Sequence, residues 1–176
     1  MQPISNWENI SATTMNDRMP AGGYVCVIKK CTDNPDRQCL TFEVDVVEGP
    51  WKNYAADTSE RAGFWPLDFV KSYKPKAQGF FKAMIEAIAQ TNSGFVWDWN
   101  EKKLVGKGVG IVFREEEYEG RDGKVKTRLK PFEFKTANEI RQGDFTVPER
   151  KAIDHVTASA TFTELLDDED DGTLPF

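Results

Sequence analysis

Histidine is almost absent from this chain: His155 is the only one in 176 residues. Nucleophilic catalysis usually needs a base beside its serine or cysteine, and no such pair stands out. Cysteine is scarce too, with Cys26, Cys31 and Cys39 only. These three and His155 fit no zinc spacing. An odd cysteine count, with no basic-then-apolar pattern in MQPISNWENISATTMNDRM, leads us to expect reduced thiols in a cytoplasm. No apolar run approaches the length of a membrane span, so no membrane partner is expected.

Bases are missing from one place. Glu164 to Phe176 holds six acids and neither lysine nor arginine. Setting those six aside from the 29 acids leaves 23, equal to the 23 bases. The net charge of −6 is therefore the charge of the tail, and the body is neutral. Inside the body the bases cluster. Arg61, Lys71, Lys74, Lys76 and Lys82 share their stretch with one acid, Asp68. A local basic surface is expected despite the low pI.

The coarse structure is legible from pattern. YVCVIKKC (24–31) reads as a strand and DNPDRQ as a turn. In CLTFEVDVVEG, Leu40, Phe42, Val44 and Val46 alternate with Thr41, Glu43 and Asp45, the pattern of a half-buried strand. A loop follows, then a third strand near residues 63–73. Phe80, Phe81, Met84, Ile85 and Ile88 recur at helical spacing, between Pro75 and Asn92-Ser93-Gly94. Two more strands flank GRDG, a hairpin turn. Strand, strand, strand, helix, strand, strand is the order of an oligonucleotide/oligosaccharide-binding (OB) fold. We expect a mainly β, five-stranded barrel over residues 1–150, with one helix between strands 3 and 4. Residues 151–176 are expected to be a disordered acidic tail.

Single-stranded nucleic acid is held by cations that track phosphates and rings that stack on bases, each ring worth ~1–3 kcal/mol. Residues 51–82 interleave the two, and among them Trp51, Tyr54, Trp65 and Tyr73 are the candidate exposed rings, with Lys71 and Lys74 as cations. The hairpin adds Arg114, Tyr118, Arg121, Lys124, Lys126, Arg128 and Lys130, the last four alternating with Val125, Thr127 and Leu129 so that the fifth strand presents a basic face. The bland alternative pairs these cations with Glu115, Glu116, Glu117 and Glu119 across the hairpin. Lys107 lies in GKGVG, whose glycines fall inside a strand; they read as curvature sites, not as a nucleotide loop. Glu43 and Asp45 share a face and bring a magnesium nuclease to mind, but no third ligand has a compelling spacing, and solvated carboxylates are expected.

The last residues carry the most specific signal. Asp170 and Asp171 precede Leu174, Pro175 and Phe176. This resembles the C-terminal tip of bacterial single-stranded DNA-binding proteins, with Gly172-Thr173 interposed between acids and leucine. In length and strand order the chain is more similar to phage-encoded members. A tethered phenylalanine offers a ring to a pocket, and the acids steer it to a basic partner. The resemblance implies a non-enzymatic accessory of replication or recombination in a bacterial host cytoplasm. It would coat single-stranded DNA, recruit replication or recombination proteins through the tip, and need no cofactor. Self-association stays open. So do an annealing or mediator protein sharing the same groove, a magnesium-dependent nuclease, and a protein adaptor without DNA affinity.

Overall fold

Alternation in the sequence becomes burial in the sheet. A computed structural model describes residues 18–154 and, near the start, residues 2, 3, 5 and 7–9. Strands β1 (Gly22–Asn34), β2 (Cys39–Val46), β3 (Asp68–Ser72), β4 (Gly108–Glu119) and β5 (Val125–Lys135) form one antiparallel sheet in the order β3-β2-β1-β4-β5. Leu40, Phe42, Val44 and Val46 are all buried, as their period of two requires. Each such side chain contributes about 1.5–3 kcal/mol when fully removed from water. The fold is mainly β, and the expected helix between the third and fourth strands is present as α2 (Gln78–Thr91).

The sheet does not close. Among the described residues β3 and β5 share no ladder, and its two outer strands meet through side chains alone. Phe69 of β3 lies 5.7 Å from Phe134 of β5, centroid to centroid. Lys71 of β3 places its ammonium 5.0 Å from the same ring. Side chains fill the space where backbone pairing would have completed a barrel. The third strand is also shorter than residues 63–73, with five residues in ladder geometry.

α2 packs against β3, β4 and β5. It buries Phe81, Met84, Ile85, Ala87 and Ile88; Phe80, expected on the same face, is 51% exposed. Asn92 ends the helix. Its side-chain amide donates to the carbonyls of Ile88 and Gly108, both at 2.7 Å, and its Oδ1 accepts from the Gly108 amide at 3.0 Å. One residue thus ties the last turn of the helix to the start of β4.

Two further helices correct the sequence reading. The stretch after β2, read as a loop, contains α1 (Tyr54–Ala62). Its cap explains the error. Asn53 sits in the left-handed region and its side chain caps nothing. The cap is Asp45, on β2: its carboxylate accepts from the amides of Ala55 at 2.8 Å and Ala56 at 3.2 Å, and also from Val46 at 2.9 Å. A carboxylate at a helix N-terminus satisfies free donors and meets the positive end of the dipole. Asp45 is accordingly 1% exposed, not solvated, and Glu43 on the same strand pairs with Lys30 at 3.3 Å.

The second is α3 (Ala137–Gln142), opened by a capping box between Thr136 and Glu139. With Val25, Val112 and Phe145 it forms a second small core. Gly110 makes this possible. A Cβ there would lie 2.5 Å from Ile140 Cγ1 and 2.7 Å from the Thr136 carbonyl oxygen, so Gly110 serves helix seating where curvature was expected.

After α3 the chain returns to β4. The Lys151 amide donates to the Glu115 carbonyl and the Glu117 amide to the Lys151 carbonyl, both at 2.9 Å. Cys26, Cys31 and Cys39 are free thiols. Among the described residues no helix is long and apolar enough to cross a membrane.

Candidate nucleic-acid interface

A cavity of about 430 Å³ opens between α1 and the β4–β5 hairpin. Its lining combines three guanidinium groups, Arg18, Arg61 and Arg128, with three rings, Tyr54, Phe64 and Tyr118. Local folding explains all of these but Arg18. Asp45 pins the first turn of α1, which places Tyr54. Arg61 follows in the last turn, and Gly63, left-handed at φ 75°, turns the chain so that Phe64 emerges 59% exposed. Arg128 and Tyr118 come from facing strands, the guanidinium 5.1 Å from the ring centre. Arginine suits such a site because its planar fork both pairs with phosphate and stacks on rings.

Two of the carboxylates expected to neutralise the hairpin, Glu115 and Glu117, face Arg150 instead, and Glu116 does neutralise one hairpin cation. Arg150 bonds Glu115 at 2.7 Å and lies 3.7 Å from Glu117. Glu116 pairs with Arg114 on its own strand at 2.7 Å, and Arg114 also stacks 5.1 Å from Phe132. Lys126 pairs with Asp122 in the turn at 3.4 Å. Arg128 forms no ion pair among the described residues. Arg121 and Lys124 are exposed in the turn, whereas Lys130 is half-buried, and burial lowers its pKa.

Along the open seam the chemistry changes. Lys71, expected as an exposed cation, is 3% exposed, because alternation places it on the same face as Phe69. Its ammonium faces Phe134 at 5.0 Å and Phe80 at 5.8 Å. Burial pushes its pKa down to about 8.

The expected rings are all half-buried and do not lie together. Trp51 meets Tyr54 edge-on at 5.6 Å beside the cavity. Trp65 donates its indole N–H to the Val44 carbonyl at 2.9 Å, a bond that ties the α1–β3 connection to the sheet. Tyr73 stands past the far end of β3, its hydroxyl donating to Asp33 at 2.9 Å. Lys74 follows it, half-buried. Lys107 lies 5.4 Å from the Phe95 ring. The structure thus gathers Tyr54, Tyr118 and Arg128 into one cavity, with Trp51 and the other hairpin cations beside it. It sets Lys71, Tyr73, Lys74 and Lys107 apart.

Sequence reasoning left Arg18, Arg61 and Phe64 out of the site. Arg61 and Phe64 were signalled by the interleaving of bases and rings; Arg18, in a stretch read as irregular, carried no signal. Asp170, Asp171, Leu174, Pro175 and Phe176 lie outside the described residues. Neither a family model nor a curated protein sequence matches the chain.

Proposed function

We propose that this chain binds single-stranded DNA in the cavity between α1 and the β4–β5 hairpin. It coats exposed strands in replication or recombination, and it recruits protein partners through Asp170, Asp171, Leu174, Pro175 and Phe176. The observation that carries the reading is the cavity lining: three guanidiniums and three rings from separate elements, with the neighbouring Glu115 already bonded by Arg150. Guanidiniums follow a phosphate chain and rings take unpaired bases, a combination that tolerates any sequence. The tail adds an acidic run and an apolar tip, which suits a basic pocket on another protein.

The test is titration of labelled oligonucleotides by anisotropy. Single strands bind tightly and duplex of the same sequence weakly, and affinity falls steeply as salt rises because phosphate contacts release counterions. The double variant Arg61→Glu, Arg128→Glu loses at least about tenfold in affinity while its circular dichroism is unchanged. Equal affinity for duplex and single strand removes the reading. Wild-type affinity in the double variant moves the site out of this cavity.

A further inference from the structure

At the opposite end of β3 from the cavity, an aromatic series runs from the core to solvent. Tyr73 meets Phe81 at 6.0 Å, Phe81 meets Trp97 at 6.4 Å, and Trp97 meets Trp99 at 6.0 Å. Phe81 is core at 8% exposure, Trp97 is half-buried, and Trp99 is 82% exposed. Val96 beside it is 77% exposed and Phe80 51%. Folding gains little from so many exposed apolar groups in one place, and such a patch marks a binding surface. Trp99 also holds φ at 66°, a left-handed conformation that a bulky residue rarely adopts.

Charge identifies the occupant. Residues 71–107, which carry the whole series, hold seven bases and three acids. Two of those acids are paired, Asp98 with Lys103 and Glu86 with Lys82 at 3.6 Å, and Lys71 is buried; Lys76 and Lys102 are exposed cations of the same stretch. Tyr73 also spends its hydroxyl on Asp33, which leaves ring faces and edges as the recognition surface. Flat rings in a cationic surround take unpaired bases on an anionic backbone.

We infer that Trp99, backed by Trp97, is a second stacking platform for single-stranded DNA. The inference rests on the single-strand reading above and extends it: the strand leaves the arginine-lined cavity, follows the open seam between β3 and β5, and reaches Trp99. The five residues of β3 separate the two ends by roughly 17 Å at the usual strand rise. A short oligonucleotide fills the cavity alone, and a longer one engages both ends.

The experiment compares Trp99→Ala and Trp99→Tyr with wild type, using oligothymidylates of about 4 and about 16 nucleotides, the span of sites seen for single OB folds. Trp99→Ala weakens the longer oligonucleotide about tenfold and leaves the shorter within twofold; Trp99→Tyr, which keeps a flat ring, restores the longer. If wild type binds and Trp99→Ala matches it at both lengths, the platform is refuted while the cavity reading stands. If wild type binds neither length, both fail. If DNA affinity is unchanged but Trp99→Ala loses self-association in sedimentation, the patch joins copies of this chain and the inference is overturned.

Discussion

The two ends of the β3–β5 seam use different cations and different supports. At the cavity the cations are arginines at the surface, and α1, which presents Arg61, hangs on a single buried carboxylate, Asp45. At the α2 end the cation is Lys71, enclosed by rings, and the local frame is ring packing together with the bonds of Asn92. The difference is between guanidiniums held at the surface and one ammonium, Lys71, held in the core. Guanidiniums bind phosphate while staying weakly hydrated, so they can sit at a working surface. A buried ammonium costs desolvation, and ring faces offset part of it.

The strongest way to break the comparison is Asp45→Ala. It leaves three amides without their acceptor and removes a charge from the helix N-terminus. Hydrogen bonds to a charged group contribute about 1.5–3 kcal/mol, and stranded buried donors a similar cost, so we expect a loss of about 3 kcal/mol. That lowers Tm by roughly 6–12 °C for a chain of this length. Hydrogen exchange should accelerate over residues 54–62 before it does over α2. A uniform increase across both regions means that α1 is not separately supported, and the contrast between the ends fails.

The next effect sits at the other end. Phe81→Leu keeps most of the buried volume but removes the ring that links Tyr73 to Trp97. Such hydrophobic swaps cost about 1 kcal/mol, a Tm change of roughly 2–4 °C. Tryptophan emission should shift as the packing around Trp97 loosens, with binding of a 4-nucleotide probe unchanged. An unchanged emission spectrum means the ring series does not set the environment of Trp97.

What was legible in the sequence divides along the same line. Period-two burial of β2, the helical period of α2 and the placing of that helix between the third and fourth strands are local signals, and each is realised. α1 was hidden because its cap lies nine positions upstream on a strand, where no local rule would find it. α3 did carry a local sign, the Thr136–Glu139 capping box, but six residues are too short to show a period. The failure to close the barrel was not legible, since it depends on Phe69, Lys71 and Phe134 meeting across 60 residues of sequence. The alternation that buries Phe69 applies equally to Lys71, whose charge placed it among the expected surface cations. Arg18 enters the cavity only through tertiary placement.

The last test addresses that buried charge. Lys71 in the folded chain titrates at about 8, below the ordinary lysine value, because burial disfavours the ammonium. A depressed lysine pKa means that folding bears the full desolvation cost wherever both states are protonated, below pH 8. Between about 8 and about 10.4 the folded chain has released the proton and the unfolded chain retains it, so stability rises with pH through that window. Lys71→Met has the same reach and no proton to lose. The variant should therefore be more stable than wild type at pH 7, and the gap should narrow as pH rises towards 10. Paired thermal melts at the two pH values give the answer. A gap that is the same at both, or that widens with pH, would mean Lys71 is already neutral or fully solvated at pH 7. Either result would erase the contrast between a buried ammonium and a surface guanidinium.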